Sequence, residues 1–144
     1  MKNVFLTIVL CLGLVACGNG NVKNESKVEK QVKKDVVEVL YFHGKQRCAT
    51  CMAIEKNTKH LMESTFAEKL KNGELVFKSI DITEEEKLAD KYEVSWSSLI
   101  IVDYDKSGKE KAVNMTEFAF SNARANSNNF KRRVAEQINT MLNN

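Results

Sequence analysis

The run R-C-A-T-C at Arg47 to Cys51 sets two thiols three residues apart, a spacing suited to reversible disulfide formation. In disulfide exchange the thiolate is the nucleophile, so the first question is what would ionise one of these cysteines. An apolar run ends just upstream at His43-Gly44, and a helical period begins at about Ala49. That places Cys48 at a helix N-terminus, among unpaired backbone N–H groups and the positive end of the helix dipole, both of which favour the thiolate. Lys45 and Arg47 push the same way where they lie near the sulfur. Cys48 is therefore expected to be the exposed nucleophile that attacks a substrate disulfide. Cys51, one turn along and facing inward, is expected to resolve the mixed disulfide.

Other readings of the pair stay open. It could be a static structural pair, or half of a metal site with His43 and possibly His60. Zinc prefers four ligands, and two cysteines with one nearby histidine fall short of that. His43 is close enough in sequence to tune Cys48 but also reads as a turn residue, and His60 reads as a helix-face residue. No cofactor is expected.

The elements that would carry the dithiol follow from periodicity. Val36 to Phe42, V-V-E-V-L-Y-F, is β-branched, aromatic and nearly continuous, as in a central strand covered on both faces. From Ala49, Cys51, Ile54, Thr58, Leu61 with Met62, Thr65 with Phe66 and Leu70 recur every three or four residues, a helix with one buried stripe that stops at Asn72-Gly73. Leu75 to Ile82 is the next strand. Thr83 and Glu86 form a capping box for a short helix through Tyr92. Ser97 to Asp103 and Glu110 to Met115 read as a hairpin at a sheet edge, joined by a turn at Asp105 to Gly108. Residues 116–129 give a helical turn plus loop or an irregular helix start. Phe130, Val134, Ile138 and Met141 with Leu142 then mark one face of a final helix.

The order strand, helix, strand, helix, strand, strand, helix, with R-C-A-T-C between the first strand and first helix, resembles the thioredoxin-like fold family over about Val36 to Leu142. Lys91 to Val102, K-Y-E-V-S-W-S-S-L-I-I-V, looks like the family segment that ends in a cis-proline loop and enters the third core strand. The resemblance implies an α/β domain with a mixed four-stranded sheet and helices on both faces. Several family features are replaced. The chain has no proline, and Ser98, preceded by Ser97, stands at the cis-proline position. A cis bond without proline costs about 2.5–4 kcal/mol, so a trans Ser97-Ser98 bond is expected. The loop could still offer backbone groups to a bound peptide, and the Ser98 hydroxyl could bond a substrate or a thiolate. Ala49-Thr50 replaces the usual Gly-Pro, and the tryptophan before the first cysteine is missing. Trp96 is a candidate to cover the apolar side of the site or to touch substrate. The family's buried acid would lie near Leu40 or Tyr41, neither of which is acidic; Glu38 and Glu55 are the carboxylates to consider instead.

The chain start sets the compartment. Lys2 precedes an apolar stretch, Val4 to Val15, that ends in L-V-A-C at Leu14 to Cys17, which looks like a bacterial lipobox. Twelve residues rise only about 18 Å as a helix, against a hydrocarbon core of roughly 30 Å, so a spanning anchor does not fit. The expected organisation is a lipoprotein signal over 1–16, a lipidated tether over 17–34 acylated at Cys17, and a thioredoxin-like domain over 35–144. Cys11 would leave with the signal and Cys17 would be blocked, so Cys48 and Cys51 would be the only free thiols. Removing the signal lowers the formal net charge of +3 by one. Interleaved with acids as it is, that charge does not argue for nucleic acid.

Two functions are compatible with these residues. One is an extracytoplasmic thiol-disulfide oxidoreductase acting through Cys48/Cys51 on cysteine-containing secreted proteins or a redox partner protein. It would be held to a bacterial membrane by lipid on Cys17, facing the periplasm or cell exterior, with Gly18 weakly favouring an outer membrane. The other is a non-catalytic protein-binding lipoprotein on the same scaffold.

Overall fold

A computed structural model describes residues 36–105 and 107–144. The signal over 1–16, the acylated Cys17 and the tether over 17–34 lie outside the described residues. The elements are β1 (Val37–His43), α1 (Ala49–Thr65), α2 (Ala67–Asn72), β2 (Leu75–Asp81), α3 (Glu86–Lys91), β3 (Ser98–Tyr104), β4 (Glu110–Asn114), α4 (Thr116–Asn122) and α5 (Ser127–Leu142). The sheet runs in the order β2-β1-β3-β4, with β1 parallel to β2 and antiparallel to β3, and β3 antiparallel to β4. This is the mixed four-stranded sheet with helices on both faces that the sequence implies.

Strand β1 is central because its residues suit two apolar faces. Side chains alternate along a strand, and here Val37, Val39 and Tyr41 join Leu99 and Ile101 in a core with Ile54, Leu61 and Met62 of α1 and Phe130, Val134 and Ile138 of α5. Leu40 and Phe42 face the other way, in a smaller core with Ile100, Val102 and Ala89 of α3.

Three local expectations are corrected. The first helix does not continue to Leu70. Phe66 leaves helical geometry at φ −115°, ψ 18°, and is buried in the larger core, so the stripe is split between α1 and α2. The capping box is absent: α3 begins after Glu85 with no side-chain cap. The Asp81 carboxylate instead accepts from the Thr83 N–H at 2.8 Å and the Thr83 hydroxyl at 2.7 Å, so Thr83 serves the turn before the helix. Residues 116–129 hold a full helix, α4, and the last helix starts earlier than Phe130, where the Asn126 side chain accepts from the Asn129 N–H at 3.1 Å.

The smaller core is closed by a polar clasp. Lys91 pairs with Glu110, the Tyr104 hydroxyl donates to the same carboxylate at 3.2 Å, and the Tyr92 ring packs tilted against Phe42 with ring centroids 5.9 Å apart. Burial pushes the Tyr104 phenol up to about 12, with Tyr92 and Glu110 adding to the shift. Burial and the Glu110 charge also raise Tyr92. An unfolded tyrosine gives up its proton near pH ~10, whereas the folded chain keeps these two. Their contribution to stability is thus complete below pH 10 and is lost as pH rises toward 12. The urea midpoint is expected to fall across that window, and to fall less in a Tyr92→Phe/Tyr104→Phe variant; equal losses in both chains would contradict the assignment.

Candidate active site

Strand β1 delivers the chain to His43, a short loop from Gly44 to Arg47 turns it, and Cys48 caps α1. Cys48 has extended dihedrals, φ −77° and ψ 161°, and its Sγ accepts the Cys51 N–H at 3.0 Å. A sulfur thus occupies the place where a serine or aspartate oxygen usually satisfies a free helix N–H. In the reduced chain an anionic sulfur at this position would accept that bond better than a neutral one. Cys48 and Cys51 are joined in a disulfide, with Cα atoms 5.0 Å apart. Cys48 is exposed, whereas Cys51 is 7% exposed.

Beneath the disulfide lies Tyr41, fully buried, whose hydroxyl donates to the Cys51 carbonyl at 2.8 Å. The Arg47 guanidinium sits 5.6 Å from the centre of the Tyr41 ring and pairs with Glu55. The charge that could have supported a thiolate at Cys48 is committed to a carboxylate. Glu55 also accepts from the Ser79 hydroxyl at 2.7 Å. Partial burial pushes the Glu55 carboxyl up, but the Ser79 hydrogen bond and the Arg47 pair outweigh it and hold it below the ordinary glutamate range. With both oxygens engaged and its proton affinity lowered, Glu55 is a poor proton acceptor. Glu38 is near the start of β1, paired with Lys78 at 2.7 Å.

The remaining candidates fall into place around this centre. Lys45 is exposed in the loop. His43 is half-buried at the end of β1, its Nδ1 3.3 Å from the Gly44 carbonyl and its backbone paired with Asp81 of β2. His60 lies on the exposed side of α1, beside Lys131 and Arg132. Among the described residues no three His, Cys, Asp or Glu side chains are grouped to hold a metal ion.

A groove of about 490 Å³ opens over the disulfide, lined by Cys48, Cys51, Ile82, Trp96, Ser97 and Phe120 among others. Two residues past α3, Glu93 adopts φ 54° before the chain enters the loop that carries Trp96. A left-handed conformation costs a non-glycine residue roughly 1–2 kcal/mol, and this one turns the chain into the 94–97 loop. Val94 is buried and anchors that loop, while Trp96 points outward, 59% exposed and stacked on Phe120 at 5.1 Å. Ser97 is buried and lines the groove. The Ser98 hydroxyl instead donates to the Trp96 carbonyl at 3.1 Å, so it stabilises the loop.

No protein-family model and no curated protein matches the chain. Solved structures do. A structure of ERdj5, form II, superposes with a TM-score of 0.50 at 8% identity, over 74% of this chain and 13% of that one. The chain has the thioredoxin fold. The Trx4 domain of ERdj5 gives a TM-score of 0.49 at 10% identity, over 74% of this chain and 82% of that domain. The thioredoxin of Fasciola hepatica gives 0.47 at 21% identity, over 75% of this chain and 83% of that one. At such identities the likeness concerns the fold alone.

On this thioredoxin fold the structure adds residues that sequence reasoning did not single out. Tyr41 was expected only as core, but its hydroxyl holds the Cys51 carbonyl. Phe120 comes from the segment with the weakest pattern, and only its unexplained aromatic character could have pointed to it. Met52, 51% exposed, sits one turn beyond Cys48 and off the buried stripe of α1.

Proposed function

We propose that the chain is a thiol-disulfide oxidoreductase working through Cys48 and Cys51 on protein substrates. The observation that carries this reading is the pairing of an exposed, helix-capping Cys48 with a buried Cys51 to which it is disulfide-bonded. In the reducing direction the Cys48 thiolate attacks a substrate disulfide, forming a mixed disulfide and releasing one substrate thiolate. Cys51 then loses its proton to solvent or to that thiolate and attacks the Cys48 sulfur. The second substrate thiol departs, leaving the substrate reduced by two electrons and the protein disulfide formed. The oxidising direction is the reverse, and a second dithiol protein resets the couple.

Polypeptide substrates are favoured by the surface around Cys48. Trp96, exposed and stacked on Phe120, lines the same groove as Cys48, and an apolar pair left open to water beside a reactive sulfur is stabilised when a polypeptide covers it. The setting we propose is extracytoplasmic, with lipid on Cys17 holding the chain to a bacterial membrane; L-V-A-C at Leu14 to Cys17 supports it.

Equilibrating the full chain in glutathione redox buffers, then alkylating across pH and locating the label by mass, tests the reading. The couple is expected to cycle reversibly, with Cys48 labelled as a thiolate well below the ordinary thiol range near pH ~8.5. A disulfide that resists reduction in the folded chain would favour the non-catalytic binding role instead.

A further inference from the structure

The groove over the dithiol does not end at Trp96. A second groove, of about 690 Å³, lies beyond that side chain, and Trp96 and Phe120 line both. Their stack is therefore a ridge between two halves of one surface. The ridge is apolar and still open to water, so it is stabilised when another apolar group covers it.

The second groove differs from the first in charge. Glu93 and Glu117 line it and, among the described residues, no lysine or arginine does. Neither carboxylate has an ion-pair partner among the described residues. Ser98 and Thr116 also line it, but their hydroxyls are used within the fold, Ser98 on the Trp96 carbonyl and Thr116 as acceptor of the Leu99 N–H, each at 3.1 Å. Polar groups already satisfied suit a chain laid across them better than a small polar ligand.

We propose that the Trp96–Phe120 ridge and the acidic groove beyond it receive the segment of a substrate polypeptide that flanks its cysteine. An apolar side chain covers the ridge, and a lysine or arginine beyond it faces Glu93 and Glu117. The inference rests on Cys48 being the nucleophile, and it names the substrate class for that site. In an extended peptide the second residue from the cysteine points to the same face about 7 Å further along, which sets the spacing to test.

The test uses the reduced full chain and synthetic peptides, each with one cysteine held as a mixed disulfide with glutathione. Exchange converts the Cys48/Cys51 dithiol to its disulfide and releases the peptide thiol and glutathione, so atoms and electrons balance. The peptides carry Phe two residues from the cysteine, on either side, and Arg two residues further; in others Ser replaces Phe, or Glu replaces Arg. In the native chain Phe is expected to speed reaction about tenfold over Ser. Arg is expected to exceed Glu about threefold, a difference that salt reduces. In Trp96→Ala and Phe120→Ala the Phe-to-Ser rate ratio is expected to fall to about twofold or less. In Glu93→Gln/Glu117→Gln the Arg preference is expected to vanish while the Phe preference persists. Each ratio is taken within one variant whose folded fraction has been verified by circular dichroism, because unfolded chains exchange with every peptide without preference. Equal peptide rates in a native chain that exchanges with glutathione disulfide would overturn this inference and leave the dithiol reading intact. A native chain inert to glutathione disulfide and to every peptide would remove both.

Discussion

Cys51→Ser is expected to stop turnover and leave substrate polypeptide covalently held on Cys48. The mixed disulfide forms through the exposed Cys48 sulfur and is released by attack from Cys51, which the fold holds one helical turn away with its Cα at 5.0 Å. A serine hydroxyl cannot make that attack at neutral pH. Well-oriented intramolecular groups reach effective molarities of about 10⁵–10⁸ M; even an effective molarity of about 1 M, far below that range, makes an external thiol at millimolar concentration about 10³-fold slower than Cys51, so the loss is at least that large. Cys48→Ser is expected to behave differently: no mixed disulfide accumulates at the active site, because the thiol left there, Cys51, is buried. Non-reducing electrophoresis followed by mass analysis distinguishes the two. A Cys51→Ser chain that turns over like the native one, or a Cys48→Ser chain that still traps substrate, would reverse the assigned roles.

The contrast between those variants rests on a placement that was legible in the residues. A continuous apolar strand, a glycine turn and a 3.6-residue stripe leave one position for Cys48, the first helical cap, and turn Cys51 inward. Side-chain pairing across elements was less legible. Arg47 reads as support for a thiolate when only its neighbours in sequence are considered. In the fold it turns toward Glu55, eight residues on, which Ser79 of β2 also holds. Tyr41 reads as core because it is aromatic, and nothing local indicates that its hydroxyl meets the Cys51 carbonyl. Thr83 and Glu86 have capping-box spacing, yet Asp81 at the end of β2 takes the Thr83 hydrogen bonds first. In each case a long-range or competing partner decided what short-range pattern left open.

Phe120 is the sharpest case of this, since its place over the dithiol depends on packing far from it, and Phe130→Ala measures that dependence. Phe130 is fully buried in the first turn of α5, in the core that contains Ile54 of α1, Ala119 of α4 and Ala123 at its end. Hydrogen bonds reinforce the same junction: Asn57 of α1 donates to the Ala123 carbonyl at 2.7 Å, and Asn129 donates to the Asn122 side chain at 2.9 Å. Truncating a buried phenylalanine to alanine costs about 3–5 kcal/mol, against a total stability of roughly 5–15 kcal/mol for a domain of this kind. Phe130→Ala is thus expected to lower the free energy of urea unfolding by about 3–5 kcal/mol, and Phe130→Leu by about 1 kcal/mol because most of the volume is kept. Trp96 is the sole tryptophan and stacks on Phe120, so its fluorescence in the folded baseline reports whether α4 has shifted. A change is expected for Phe130→Ala and none for Phe130→Leu. A loss below about 1 kcal/mol for Phe130→Ala, with unaltered Trp96 emission, would mean that α4 is held in place by its own loop and not by the core it shares with α1 and α5.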